Sequence, residues 1–246
     1  MTSSERWSRA EAERYDTEET VMTSAAVLGP TVDFLAGLAG DGPALEFAIG
    51  TGRVGVPLRE RGVPVVGVEF SEHMAAVLRR KVDAETLPVV IGDMATTTVP
   101  GAFSLVYLVY NTISNLLTQD EQVACFRNAA RHLGPGGRFV IELGVPPLRS
   151  LPPGGTAVPF DVSEGHLGFD TFDLVGQILV SHHLTRDGAD GRYRRDASRH
   201  RYAWPAELDL MARIAGLEPE RRVADWDGSP FTEDSPKHIS VWRRPA

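Results

Sequence analysis

ALEFAIGTGRVGVPL, residues 44–58, is the stretch on which the fold turns. Its first half is a short apolar run of strand character, and its second half is helical. Between them stands Gly50-Thr-Gly52. Glycine lets the backbone turn tightly and lets a ligand approach where a Cβ would otherwise stand. The run Gly50-Thr-Gly52-Arg-Val-Gly55 satisfies the G-x-G-x-x-G fingerprint of dinucleotide sites. Glu69, 19 residues after Gly50, stands where a ribose-binding carboxylate belongs. These features point to a nucleotide-like cofactor and leave its identity open.

Working outward, the chain alternates. A helix is expected near 31–39, ended by Gly40-Asp-Gly42, and strand 44–49 leads to helix 54–61. The β-branched run 63–68 ends at Glu69, and Ser71 caps a helix over 72–82. Strands are expected at 87–91, 105–110 and 138–143. Thr118-Gln-Asp-Glu121 is a capping box for a helix reaching about Leu133. Strands alternating with helices imply a parallel, doubly wound α/β sheet with right-handed crossovers. Ligands then sit beyond the carboxyl ends of the strands.

The pattern changes near 145. Prolines and glycines through 155 predict an irregular loop. From 166 to 202 the chain reads as strands joined at Asp187-Gly188 and Asp190-Gly191. Residues 145–203 are therefore expected to be an antiparallel insertion on the acceptor side of a single domain spanning 1–246, with 1–30 as an N-terminal arm or lid. Pro205 then begins a helix to Ala215, and 217–226 and 238–243 read as the last strands.

Three features narrow the cofactor. Glu46 lies inside the first strand, where a carboxylate is costly without a partner. The ammonium of a methionine moiety supplies one, whereas a pyrophosphate would be repelled. The third strand ends in Val90-Ile-Gly-Asp93-Met94, an acceptor and an apolar neighbour suited to an adenine. Leu133-Gly-Pro-Gly-Gly137 leads into FVIEL.

Together these segments resemble class I S-adenosylmethionine-dependent methyltransferases. Glu46-Phe-Ala-Ile-Gly50-Thr-Gly52 is similar to their motif I, Glu69 to their ribose-binding acid, Asp93 to their adenine-binding acid, and 133–137 to the turn before their fifth strand. The resemblance covers 44–144 closely, and 204–243 fits the same topology. It implies a seven-stranded, mostly parallel sheet of order 3-2-1-4-5-7-6. It also implies cofactor contacts from Tyr15, Glu46, Ala48, Gly50, Thr51, Gly52, Arg53, Glu69, Phe70, Met74, Gly92, Asp93, Met94 and Tyr110. Ala48-Ile49 departs from the Gly-Cys or Gly-Ser of many members.

The expected activity is methyl transfer from S-adenosylmethionine, giving S-adenosylhomocysteine, to a nitrogen or oxygen of a small molecule, in the style of bacterial specialised metabolism. A sulfonium leaving group needs no activation, so in-line placement is expected to dominate over base catalysis. Tyr110, Asn111 and Asn115, after the fourth strand, are the placement candidates, and His182 is the candidate base. Alternatives are an NAD(P)-dependent oxidoreductase and a catalytically silent methyltransferase-fold subunit.

The 246 residues carry a formal net charge of −8, which gives no global attraction for nucleic acid or anionic membrane. A single cysteine, Cys125, fits a reducing compartment, and no apolar run reaches about 18 residues. The expected setting is the cytoplasm, with a small-molecule acceptor, a possible homodimer, and no metal, nucleic acid or membrane partner.

Overall fold

The computed structural model describes residues 8–15, 24–187 and 191–246. Its helices are α1 (Arg9–Tyr15), α2 (Ala25–Ala39), α3 (Gly55–Glu60), α4 (Glu72–Leu78), α5 (Gln119–His132) and α6 (Pro205–Ile214). Seven strands make the main sheet: β1 (Ala44–Phe47), β2 (Val65–Glu69), β3 (Val89–Ile91), β4 (Phe103–Leu108), β5 (Leu133–Gly144), β10 (Glu218–Val223) and β11 (Lys237–Arg243). Their order is β10-β11-β5-β4-β1-β2-β3, with β11 antiparallel to both neighbours. This is the expected 3-2-1-4-5-7-6 arrangement.

The residues explain the layout. Every position of β1 is buried, because β2 and β4 flank it and helices cover both faces. On one face Phe126 of α5 meets Phe139 and Trp242 edge-on, with centroids 5.1 and 5.2 Å away. On the other, Leu35, Leu58, Leu105, Tyr107 and Ile239 form a second apolar layer. Both expected caps are present. Ser71 Oγ accepts from the Met74 amide, and Thr118 and Glu121 form a reciprocal capping box.

Several boundaries differ from expectation; α4, for one, stops at Leu78 rather than 82. Helix α2 begins at Ala25, not near 31, and contains Pro30. A proline in the second turn forfeits one amide bond, and the Thr31 hydroxyl donates to the Val27 carbonyl beside it. Strand β5 begins at Leu133 and includes the 134–137 turn, because Leu133 already pairs with Phe103. Strand β10 stops at Val223. The segment expected to be irregular also yields a strand, β6 (Ala157–Val162).

Strand β6 joins β7 (His166–Asp173), β8 (Ile178–Asp187) and β9 (Arg192–Arg201) in a second, antiparallel sheet of order β6-β7-β8-β9. Pro159 fits there because β6 is an edge strand, and the ladder shifts register beside it. Strands β8 and β9 pair from Ile178↔Arg201 to Asp187↔Arg192. The expected turn signals between them fall largely on 188–190, outside the described residues, as do 1–7 and 16–23 of the expected arm.

Candidate functional site

Where β1 ends, the chain must leave the sheet without covering its carboxyl end. It does so through three residues of positive φ: Ala48 (52°), Gly50 (59°) and Gly52 (82°). The Gly50 amide donates to Glu69 Oε2 at 2.7 Å, and the Lys81 ammonium donates to the Thr51 carbonyl at 2.8 Å. Glu46 lies buried beneath this turn, accepting from the Tyr107 hydroxyl at 2.9 Å. A Cβ on Gly55 would stand 2.6 Å from Glu46 Oε2, so the third glycine of the fingerprint makes room for this carboxylate. Burial pushes the Glu46 carboxyl up to about 8, against the opposing pull of the Tyr107 hydrogen bond and the Arg53 charge.

Glu69 ends β2 and links two turns. Its Oε1 accepts from the Ser71 amide at 2.8 Å, while Oε2 holds Gly50. Burial raises its pKa, and the Ser71 and Gly50 amides oppose the shift. Asp93, past β3, accepts from the Ala95 amide at 2.7 Å.

Two adjoining cavities lie over these strand ends. One, of about 70 Å³, is lined by Ala48, Glu69, Phe70, Gly92, Asp93, Met94, Thr112, Asn115 and Leu116. The other, of about 90 Å³, is lined by Tyr15, Glu46, Ala48, Gly50, Thr51, Arg53, Glu69, Met74, Tyr110, Thr112 and Asn115, with Ile49, Val54 and Val109. Ala48, Glu69, Thr112 and Asn115 border both, so the two form one cleft. Of the residues singled out for cofactor contact, all but Gly52 line it, and Gly52 shapes the turn at its floor.

The cleft's far wall is the exit of β4. Tyr110 and Asn111 adopt φ of 53° and 56°, a left-handed pair in which neither residue is glycine. Such conformations cost roughly 1–3 kcal/mol each and persist only where neighbours enforce them. Here the end of β5 enforces them. Glu142 Oε2 accepts from the Tyr110 amide at 2.9 Å, the Glu142 carbonyl accepts from the Asn111 amide at 3.2 Å, and Asn111 Oδ1 accepts from the Gly144 amide at 2.6 Å. Lys237 of β11 spans Glu142 Oε1 at 3.3 Å and Asp225 at 2.8 Å. A third cavity of about 300 Å³ opens beyond Tyr110, bordered by Arg53, Asn111, Glu142, Trp226 and Lys237 among others.

Not every expected residue comes together here. Asn111 gives its side-chain oxygen to Gly144, so it fixes the turn rather than offering that atom to an acceptor. His182 does not line the cleft. Cross-strand pairing with Phe169 stacks its ring at 4.7 Å inside the second sheet, and Thr171 Oγ1 lies 3.0 Å from its Nε2. It is outside the lining of all three cavities. Conversely, Tyr107, Lys81, Glu142 and Lys237 escaped the sequence analysis. Glu142, in FVIEL, carried a signal comparable to Glu46: a carboxylate inside an apolar strand.

Comparison with known proteins agrees with this geometry. A family model described as a methyltransferase domain matches residues 44–137. The chain is 30% identical over 238 residues to the cypemycin N-terminal methyltransferase of a Streptomyces species, covering 94% of this chain and 95% of that protein. It is 34% identical over 98 residues to the dTDP-4-amino-2,3,4,6-tetradeoxy-D-glucose N,N-dimethyltransferase of Saccharopolyspora spinosa, covering 40% of this chain and 39% of that one. Among solved structures, the CcbJ methyltransferase from Streptomyces caelestis superposes with a TM-score of 0.82 at 36% identity, over 96% of both chains.

Proposed function

The chain belongs to the class I S-adenosylmethionine-dependent methyltransferases, and from that premise we propose that it methylates a nitrogen of a small amine-bearing molecule of specialised metabolism. The observation that carries this is the make-up of the cleft. Carboxylates from β1, β2 and the end of β3 line one side, while Thr112, Asn115 and Leu116, facing them after β4, offer nothing that takes a proton at ordinary pH. A neutral amine attacks without losing a proton first, whereas a hydroxyl calls for a base. Two relatives named above act on amines, which supports nitrogen over oxygen.

The residues fit the cofactor. We assign its methionine tail to Glu46 and the Gly50 turn, its ribose to Glu69, and its adenine to Asp93 and Met94. A cation beside Glu46 offsets the burial that holds this carboxyl near 8. A dinucleotide pyrophosphate there would add negative charge to a buried carboxylate, so the oxidoreductase alternative is set aside. Bound S-adenosylmethionine supplies an electrophilic methyl carbon already attached to a good leaving group. The chain's own task is to bind, orient and exclude water. Tyr110 and Asn115 border the cleft beside Glu46 and are assigned to orient the acceptor.

We assign 145–203 as a cover on the acceptor side. Its support is the junction at Arg201, whose guanidinium donates to Gln122 at 2.5 Å and Glu207 at 2.6 Å, while Gln122 donates to the carbonyls of Ile113 and Leu116. Tyr15, on α1, lines the cleft, which supports 1–30 as a lid. We place the enzyme in the cytoplasm, consistent with a lone, buried cysteine. Among the described residues no helix is long and apolar enough to cross a membrane.

The test is to incubate the chain with S-adenosylmethionine and matched panels of amino and hydroxy compounds, reading the mass gain of one methyl group. Methylation confined to amines supports the proposal. Methylation of only the hydroxy series overturns it.

A further inference from the structure

Strand β9 stands apart from the rest of the surface. Its sequence, RYRRDASRHR, holds five arginines and one aspartate in a chain whose net charge is −8. It is the edge of the second sheet, paired with β8 alone among the described residues. Positions 192–197 and Arg199 are exposed. Among the described residues no carboxylate pairs with Arg194, Arg195 or Arg199. From Arg192 to Arg199 the strand presents an edge about 26 Å long, along which the Ala197 amide already donates to Asp196 Oδ1 at 2.8 Å and must exchange that bond for one to an incoming strand. An edge of that length is a template for another strand, whose main chain supplies the hydrogen bonds.

Charge decides what that strand is. The backbone groups of β9 that face away from β8 belong to its odd-numbered residues, so a second copy laid antiparallel about Ala197 sets Arg195 against Arg199, and like charges directly opposite are destabilising. The same arginines favour an acidic strand. An arginine fork binds a carboxylate through two parallel hydrogen bonds, so a Glu- or Asp-bearing segment gains specificity as well as charge. The far end of β9 is fixed to the cleft. The Gln122 amide donates to the Arg201 carbonyl at 3.3 Å and, on its other contacts, to Ile113 and Leu116, within and beside the turn that carries Thr112 and Asn115.

We propose that the edge of β9 from Arg192 to Arg199 docks an extended, acidic polypeptide segment by strand addition, with the segment's end beside Arg199 directed to the mouth of the cleft. The docking step does not depend on the methyl-transfer assignment, and it is measured without turnover.

The probe is a fluorescein-labelled peptide of four Glu-Val repeats, read by anisotropy against the intact chain. Three comparisons are made: a Gln-Val peptide, the triple variant Arg194→Glu/Arg195→Glu/Arg199→Glu, and the two alternating patterns of backbone N-methylation. The expected result is binding at least tenfold tighter to the parent chain than to the variant, and tenfold tighter for Glu-Val than for Gln-Val. One N-methylation pattern should remove binding and the other spare it, since a strand pairs through every second amide. The thermal shift induced by S-adenosylhomocysteine should be the same in parent and variant, which shows that the fold and cofactor cleft are intact. Equal binding by both N-methylated peptides, or by parent and variant, overturns the proposal. So does tighter binding of poly(A) RNA or of phosphatidylserine vesicles than of the peptide at the same salt.

Discussion

Glu46 is the residue at which stability and function oppose each other. Burial lifts its folded-state pKa from the ordinary 4.5 to about 8, so the folded chain holds this proton more tightly than the unfolded chain does. Its contribution to stability is therefore fully present below about pH 4.5 and is lost as pH rises through 8. Glu46→Gln should raise the unfolding temperature of the ligand-free chain at pH 8.5 and leave it unchanged at pH 4. The same variant should bind S-adenosylhomocysteine at least about tenfold more weakly, or 1.4 kcal/mol. Scanning fluorimetry across pH reads the first effect, and a variant less stable at every pH contradicts it. Ala48 poses the converse case. Its positive φ strains an alanine where many family members carry glycine, and the left-handed region costs roughly 1–2 kcal/mol. Glycine's greater unfolded-state freedom takes back about 0.5–1 kcal/mol. Ala48→Gly should therefore stabilise by about 0.5–1 kcal/mol, visible as a higher urea midpoint with an unchanged slope. Glu46 was legible in the sequence because a carboxylate in an apolar strand is itself anomalous. Tyr107 was not, because its hydroxyl meets Glu46 only through the register of β4 against β1.

The elements divide along the same line. Caps at Ser71 and Thr118 depend on residues three apart, so sequence sufficed for them. Strand β6 exists only because β7 pairs with it, and the early start of β5 depends on Phe103, so neither carries a local signature. The end of β5 has the largest long-range consequence, since Glu142 and Gly144 hold the left-handed pair at the exit of β4. Glu142→Ala removes a charge-assisted bond worth about 1.5–3 kcal/mol. It should lower kcat/KM for the acceptor roughly 10- to 100-fold while S-adenosylhomocysteine affinity stays within about threefold. Glu142→Gln keeps an acceptor for the Tyr110 amide and should recover most of the loss. If Gln and Ala behave alike, the Lys237 ion pair and not the amide bond is what matters.

At the scale of the molecule, the parallel main sheet and the row of acids at its carboxyl ends followed from alternation and motif spacing, and the strand order from the family resemblance. The second sheet's strand nature was legible from 166 onward, but the direction of its side chains was not. Period-two alternation gives two faces without saying which one packs. His182 illustrates that ambiguity, for its ring stacks on Phe169 and is outside the lining of the cavities over the strand ends. Replacing His166, His182, His183 and His200 one at a time by Gln should leave turnover within about two orders of magnitude, the lower reach of a positioned base. A four-order loss with cofactor binding intact would identify a catalytic base and displace the proximity account. That account stands on the cleft's three carboxylates meeting one cofactor, and calorimetric titration of S-adenosylhomocysteine into the parent chain, Glu46→Gln and Glu69→Ala tests it most directly. Glu69→Ala should cost about 1.5–3 kcal/mol of affinity and Glu46→Gln at least about 1.4 kcal/mol, with NADH giving no heat in any of the three. Unchanged affinity in both variants, or binding of NADH in place of S-adenosylhomocysteine, would contradict it.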